Sequence, residues 1–345
     1  MRVSRMDLDR AVSLGVLSRD QAEELWRVLG EREDGRPGFD LPHVAYYFGA
    51  IVVVCAMAWF MTLGWEEFGG AGITAISLAY AAVFAVSGGW MWRREGLRVP
   101  GGLLVTAAIC MTPLAVYGMH EALGVWPGED PGMYRDFYRW ISGGWFAMEV
   151  ATVVTGVIAL YFVRFPFLTA PIAFTLWFMS MDATPLVFGT DYFESSGYQW
   201  MSMVFGLAML TGSFVVDRRT EEDYAFWGYL FGMFAFWGGL TFFEGGSEFE
   251  WAVYGAINLG FMLLSVLLDR RVFIVFGALG VFIYLGHLTW DLFEDSLLFP
   301  FVLSGIGLVI IALGVLYAKN KERIESAILS AVPEGIRNLL PREER

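Results

Sequence analysis

The stretches VVDRRT (215–220) and LLDRRV (267–272) repeat one charged triplet, Asp-Arg-Arg, inside a chain that is otherwise mostly apolar. The two triplets begin at Asp217 and Asp269, which are 52 residues apart. A helix needs about 20 residues to cross the ~30 Å hydrocarbon core of a bilayer. Two such helices with their connections account for this spacing. The repeat therefore predicts successive two-helix hairpins, each beginning and ending on the same side of a membrane.

The composition also indicates a membrane protein. Of the 345 residues, 57% are hydrophobic and 17% are charged, whereas soluble domains usually carry about 25% charged residues. The stretch 297–317 runs for 21 residues without a charge. In lipid, backbone polar groups must be satisfied within a helix or a closed barrel, and the alternation typical of barrel strands is not found in this sequence. The sequence predicts an all-α polytopic membrane protein.

Apolar windows of spanning length predict about ten transmembrane helices. The windows are 44–65, 71–92, 101–118, 144–163, 166–184, 199–216, 224–243, 251–268, 272–289 and 297–318. Basic residues follow every second window, and of the 23 Lys and Arg only Arg135 and Arg139 fall in a predicted outer loop. By the positive-inside rule, both termini are cytoplasmic. We expect the protein in the bacterial inner membrane, with the lipid bilayer as its first partner.

The polar residues before the first window predict a small cytoplasmic unit. Ser18 and Gln21 have the spacing of a capping box, and Gly15 interrupts the segment, so two short helices are expected. Leu17, Leu25 and Trp26 belong to an apolar face that could dock a protein partner. The predicted domains are residues 1–34 as the helical pair, 35–43 as a linker, 44–318 as the ten-helix membrane domain and 319–345 as a cytoplasmic tail.

The N-terminal motifs resemble one known family. LGVLS (14–18), QAEEL (21–25) and FGA (48–50) are similar to the pattern of the DUF2157 family of uncharacterised bacterial membrane proteins. In that family a short helical pair precedes many spans. The resemblance covers about the first 60 residues. It implies a multi-pass membrane protein, and the family has no assigned activity to carry over.

Later hairpins resemble one another as well. Residues 229–244 are similar to 273–290, and both triplets follow apolar segments of similar composition. Duplication of a hairpin is one explanation. The other is that any two apolar helices rich in Gly and Phe look alike, so both readings remain open.

Signature motifs of soluble enzymes are not found in the sequence: there is no phosphate-binding loop, no His-Glu-x-x-His helix and no Cys-x-x-Cys pair. The sequence therefore favours a protein that is not an enzyme, without deciding the question. We expect no cofactor, no metal site and no nucleic acid partner.

Glu149, in the apolar stretch WFAMEVATVV, is the strongest single candidate for function. It is predicted to lie about five residues into the fourth span, or roughly 8 Å below its outer end at the helical rise. Charged groups at such depth are costly and usually face a cavity or a partner. Alternatively, Glu149 reaches the outer surface or accepts a hydrogen bond from a neighbouring helix.

Other polar residues mark the predicted outer ends of spans. Asp182 is expected to end the fifth span, and His287 with Asp291 to end the ninth, one helical turn apart. Together with Glu149 they could form an outward-facing acidic vestibule for a proton or a cation. Alternatively, they simply show where helices leave the lipid. Asn258, in the middle of the eighth span, needs hydrogen-bond partners and is the last candidate for the pathway, although a role in holding helices together is favoured.

Two functions follow from these features. One is a transporter or channel for a proton, a cation or a small solute. The other is a scaffold, assembly factor or sensor that docks a partner through the N-terminal helical pair. The outer carboxyl groups favour the first, and the lack of deeply buried charge pairs in the predicted spans favours the second.

Overall fold

A computed structural model of the protein describes residues 15–25, 41–94, 96–125, 145–188, 196–242 and 247–293, with a few separate residues before 15 and after 300. The described residues form helices and the turns between them. The chain divides into two compact units. Unit 1 contains residues 1–140 and 150–171, and unit 2 contains residues 141–149 and 172–345.

The helices follow the predicted order of the spans. They are α1 Leu41–Trp92, α2 Arg98–Cys110, α3 Thr112–Leu123, α4 Phe146–Phe162, α5 Thr169–Phe188, α6 Ser196–Arg219, α7 Phe226–Thr241, α8 Glu248–Leu268 and α9 Arg271–Phe293, with a short 3-10 helix at Pro166–Leu168. Nine of the ten predicted windows lie on these helices. The tenth, 297–318, lies largely outside the described residues.

Within the described part of the chain, five helical stretches are long and apolar enough to cross a membrane. They are Phe68–Trp92, Arg98–Leu123, Gly197–Arg219, Glu248–Leu268 and Arg271–Leu288. The all-helical membrane architecture is thus supported. The count of ten spans, the side on which the termini lie and the domain boundaries stay predictions.

The first two windows are joined differently from the prediction. We expected a loop between 65 and 71, but the helical backbone of α1 continues through this region and is interrupted only at Gly69, with φ 56° and ψ 177°. A side chain would be strained at this positive φ, whereas glycine adopts it readily. One residue therefore replaces the expected loop.

The third window forms two helices instead of one. α2 ends at Cys110, and α3 begins at Thr112 after the single cap residue Met111, with Pro113 in the first turn of α3. Proline is tolerated there because the first N–H groups of a helix have no partner within the helix. The span therefore keeps its direction while the helix is interrupted.

The helical hairpins of both units pack through glycines. In unit 1, a Cβ atom added to Gly88 would lie 2.8 Å from the carbonyl oxygen of Gly101. In unit 2, a Cβ on Gly206 in α6 would collide with the backbone nitrogen of Phe236 in α7. Small residues let backbones approach closely, which is a main source of helix association in lipid.

In the two hairpins of unit 2, the paired helices pack against each other in a similar way. A Cβ on Gly232 would lie 3.2 Å from Leu210 in the α6–α7 hairpin, and one on Gly277 would lie 2.9 Å from Met262 in the α8–α9 hairpin. Leu210 and Met262 are separated by the same 52 residues as the two triplets. This common packing favours the hairpin repeat, and duplication remains a prediction.

The two Asp-Arg-Arg triplets are joined by an ion pair. The guanidinium of Arg270, in the second triplet, donates to both carboxylate oxygens of Asp217, in the first, at 2.5 and 3.2 Å. It also donates to Asp223 at 2.8 Å. The Tyr229 hydroxyl donates to Asp217 at 3.4 Å, and the tyrosine ring lies beneath the guanidinium, with its centroid 5.6 Å from Arg270 Cζ. The two copies of the triplet thus bind each other directly.

Burial makes this ion pair strong. Only 1% of the Asp217 side chain and 12% of the Arg270 side chain are exposed. Burial by itself would lower the pKa of Arg270, but the hydrogen bonds and charges of Asp217 and Asp223 outweigh that effect and raise the pKa above its usual value. Arg270 therefore stays charged and holds the α6–α7 hairpin to the start of α9.

The Asp217→Asn variant tests this link. Removing one member of a buried ion pair leaves the other unpaired, so we expect the free energy of unfolding to fall by about 3–5 kcal/mol. The measurement is unfolding in detergent micelles followed by circular dichroism. Asp269→Asn is the matched control, because Asp269 holds the equivalent place in the second triplet but is exposed, and its φ of 50° is one that Asn tolerates. Equal stability losses in the two variants would contradict the assignment.

Candidate functional site: a buried carboxyl pair

Glu149 lies in the first turn of α4. Its backbone N–H donates to the carbonyl of Trp145 at 3.0 Å, and only 5% of the residue is exposed. A negative charge in the first turn of a helix interacts favourably with the helix dipole. Since α4 begins at Phe146 and the predicted span begins at 144, Glu149 is two residues closer to the helix end than the sequence predicts.

Asp182 lies inside α5 and not at its end. The helix continues to Phe188, beyond the predicted boundary, and Asp182 is fully buried. The expectation that Asp182 ends this helix is therefore wrong. The apolar residues that follow it extend the helix, and the single charge misplaced the boundary.

Ser180 and Thr184, on either side of Asp182, are also fully buried. Their hydroxyls donate to carbonyls of α5 itself: Ser180 to Trp177 at 2.6 Å and Thr184 to Ser180 at 3.0 Å. The two hydroxyl protons therefore form hydrogen bonds within α5 and are not donated to Asp182. Sequence reasoning missed both residues, although Ser, Asp and Thr at alternate positions of an apolar span could have drawn attention to them.

Glu149 and Asp182 form a pair within unit 2. The two carboxyl groups are close enough to interact electrostatically, so a negative charge on Asp182 acts on Glu149. Among the described residues, none makes a hydrogen bond to any of the four carboxyl oxygens. This arrangement is unusual, because buried polar atoms are almost always hydrogen-bonded.

Two unpaired carboxylates at such a place repel each other and lose their hydration. Either a proton held by one of the two groups or a cation between them removes the repulsion. The pair can therefore exchange a positive charge with its surroundings. No protein donor among the described residues competes for these oxygens.

Aromatic residues fill the space beside this pair within unit 2. Trp145, one turn before Glu149, stacks on Phe178, one turn before Asp182, with ring centroids 5.9 Å apart and an interplanar angle of 20°. Phe178 in turn contacts Trp177 and Phe174. An apolar surrounding of this kind strengthens every charge interaction inside it. Sequence reasoning did not single out Trp145.

The predicted vestibule is only partly assembled. The structure brings Glu149 and Asp182 together but gives His287 other neighbours. The His287 ring stacks on Trp251 with centroids 4.0 Å apart, and its Nε2 lies 3.5 Å from a carboxylate oxygen of Glu248. Asp291 lies in α9, but its side chain lies outside the described residues. The part of His287 and Asp291 in a pathway stays a prediction.

Asn258 is fully buried in the α8–α9 hairpin. Its Oδ1 accepts a hydrogen bond from Trp237 at 3.1 Å, and its Nδ2 donates to the Tyr254 carbonyl at 2.9 Å. The side chain lies against Gly280, where even a Cβ atom would collide with it. These contacts favour helix packing for Asn258, and the predicted place in a pathway remains untested.

No three His, Cys, Asp or Glu side chains in the described part of the chain converge as a metal site would require. The carboxyl pair is the candidate functional site among the described helices, since its oxygens accept no hydrogen bond from the described residues.

The Asp182→Asn variant tests whether the pair carries an energetic cost. Since Asp182 has no hydrogen-bond donor in the described structure, removing its charge relieves repulsion and breaks no described bond. We expect the variant to unfold at the same temperature as the wild type or at a higher one, as measured by thermal unfolding in detergent. Asp217→Asn, which changes another buried aspartate, is the comparison and has the opposite sign. A comparable loss in both variants would show that Asp182 has a structural partner.

Comparison with known proteins bears on the N-terminal part of the chain. The family model described as "Predicted membrane protein (DUF2157)" matches residues 9–119, which extends the resemblance seen in the first 60 residues and confirms it. No curated protein and no solved structure matches the chain. The family match and the apolar helices together support an integral membrane protein. Over residues 9–119, this chain is similar to the predicted membrane proteins of the DUF2157 family.

Proposed function

We propose that this membrane protein moves a proton or a monovalent cation across the bilayer, with Glu149 and Asp182 as the groups that carry it. The observation behind the proposal is the buried carboxyl pair, whose four oxygens accept no hydrogen bond from the described residues. Ionisable residues inside membrane proteins are expensive, and they typically mark ion pathways or proton relays.

The energetic argument compares two buried aspartates. Arg270 donates hydrogen bonds to Asp217 and also to Asp223. These bonds stabilise the packing of the helices. Asp182 has no comparable partner among the described residues, so its burial contributes nothing visible to stability. A costly group that does not stabilise the fold is best explained by function.

The backbone of α5 adds a further feature. Pro185 has no N–H group, so the carbonyl of Met181, beside Asp182, lacks its usual donor from four residues further along the helix. Freed carbonyls beside carboxyl groups coordinate ions in transporters with interrupted helices. Oxygen atoms of two kinds would then be available to a bound ion at one place in the span.

The predicted topology suits this function. Ten spans with both termini in the cytoplasm of a bacterial inner membrane would place Glu149 near the outer end of its helix. Asp182, His287 and Asp291 would then lie towards the same side. The pathway would open outwards through an acidic vestibule, which attracts cations.

Proton flux into proteoliposomes tests the proposal. We expect purified wild-type protein to acidify the lumen, reported by an enclosed pH-sensitive dye, when a proton gradient is applied. Glu149→Gln and Asp182→Asn should each lower the flux by about a hundredfold, since positioned proton-transfer groups typically contribute ~10²–10⁴-fold. Replacing the proton gradient with a sodium or potassium gradient identifies the ion.

Glu222→Gln is the matched control, because it also removes one carboxylate but lies exposed in the turn after α6. It should transport like the wild type. Flux that is equal in all three variants and the wild type would reject a role for the pair, and no flux of any of these ions in the wild type would reject transport of protons and monovalent cations.

One observation favours the second function, a scaffold or sensor that docks a protein. The capping box is present, with Ser18 N–H donating to Gln21 Oε1 at 3.0 Å and Gln21 N–H donating to Ser18 Oγ at 3.2 Å. In the same segment Val16 is 72% exposed and Leu25 is 39% exposed. An ordered segment with exposed apolar side chains suits a partner. Leu17 belongs to the same segment, whereas Trp26 lies outside the described residues.

Affinity purification from the native membrane tests this alternative. The scaffold function predicts a stoichiometric partner that is lost when residues 1–35 are deleted and also in a Leu17→Glu/Leu25→Glu variant. Glu23→Gln, on the same segment but exposed and polar, should keep the partner and serves as the control. Recovery of the same partner with the deleted chain would exclude docking through this segment.

A further inference from the structure

We propose that the end of unit 1 formed by Arg93, Arg94, Arg98 and Arg164 binds the headgroup of an anionic phospholipid. This inference does not depend on ion transport. It concerns a surface that the candidate site does not include.

Packing brings the four arginines to one end of unit 1. Arg93 and Arg94 directly follow α1, and Arg98 begins α2. Arg164 comes from a distant part of the chain and reaches the same place through its neighbour Phe165. The Phe165 ring lies with its centroid 6.0 Å from that of Trp92 and packs tightly over Gly102.

A hydrophobic cluster beneath the arginines fixes this arrangement. Val99 follows Arg98, and Val163 and Phe165 flank Arg164; all three are buried in one cluster with Leu103 and Leu168. Arg98 and Arg164, the direct neighbours of these buried side chains, are themselves exposed. The cluster therefore holds Arg98 and Arg164 at the surface of the same end.

All four arginines are exposed, and no ion pair links any of them to another described residue. Within residues 90–102 and 160–168 the sequence contains a single acidic residue, Glu95, which lies outside the described residues. The surface consequently carries an excess of positive charge. A phosphate ester with a net negative charge is complementary to it.

The surrounding aromatic residues indicate that the anion belongs to a lipid. The Arg94 guanidinium lies 4.0 Å from the centre of the Trp90 ring, and Trp90 itself is 54% exposed. Tyr161 is 80% exposed and Phe162 is 72% exposed, both shortly before Arg164. Exposed aromatic residues beside basic ones are typical of the boundary between headgroups and acyl chains. A soluble anion has no acyl chain that could contact these aromatic rings.

A second pair of arginines, Arg218 and Arg219, has a different local charge. Arg218 and Arg219 also end a helix, but residues 217–223 contain four acidic side chains, at positions 217, 221, 222 and 223. Local charge therefore favours an anionic lipid at Arg93 and Arg94 and disfavours one at Arg218 and Arg219. The two pairs form a matched comparison within a single chain.

Binding of phosphatidylglycerol to the detergent-solubilised full chain, measured by native mass spectrometry, tests the proposal. We expect the wild type to bind phosphatidylglycerol in preference to phosphatidylcholine. Arg93→Gln/Arg94→Gln should bind it about thirtyfold more weakly, because each basic side chain at an anionic lipid surface contributes roughly a fivefold factor. Arg164→Gln alone should weaken binding about fivefold by the same reasoning, and Arg218→Gln/Arg219→Gln should leave it unchanged.

Further outcomes separate the alternatives. Arg93→Lys/Arg94→Lys keeps both charges, so its affinity should stay within a fewfold of the wild type. Thermal unfolding of each variant in detergent micelles shows whether the variant is still folded. If a double variant does not fold, the affinity of Arg164→Gln for phosphatidylglycerol tests the proposal instead. Equal affinity for both lipids, an equal loss in the two double variants, or binding of inorganic phosphate as tight as that of phosphatidylglycerol would each overturn the proposal.

Discussion

The ion pair between Arg270 and Asp217 is the interaction on which the arrangement of unit 2 depends. It joins residues 53 positions apart, and it does so with two hydrogen bonds to a carboxylate that is almost completely buried. Apolar packing between helices is weakly selective in lipid, because the surrounding acyl chains are as apolar as the side chains. A planar guanidinium that needs two oxygens in one plane is selective. The pair thus specifies which hairpin lies beside which.

Repetition of the triplet does not mean repetition of its role. Asp217 accepts hydrogen bonds from Arg270, whereas Asp269 ends α8 in a left-handed conformation and is exposed. Of the arginines, Arg270 is partly buried and lies over the Tyr229 ring, while Arg219 is exposed. The positive-inside rule explains why both turns are basic. It does not explain which charged residue of each triplet forms the ion pair between the hairpins.

Elements set by local composition could be predicted from the sequence. The helices α4 to α9 lie on the fourth to ninth predicted windows, because an apolar run of spanning length can be satisfied in lipid only as a helix. Glu149 could be identified as a lone charge in such a run. The electrostatic interaction between Asp182 and Glu149 could not, since it depends on the tertiary structure that brings residues of two different helices near each other. A single charge was also a poor marker of a helix end, and α5 continues past Asp182.

Asn258 has a consequence for the last described hairpin. Its equivalent in the preceding hairpin, 52 residues earlier, is Gly206. Gly206 has no side chain and lies directly against the backbone of Phe236 in α7. The amide of Asn258 instead needs Trp237 on one side and the empty space above Gly280 on the other. If α9 slid along α8 by one turn, the amide would meet a side chain in place of that space. The α8–α9 hairpin is thus held to one alignment by a polar side chain, whereas the corresponding position of the α6–α7 hairpin carries no side chain.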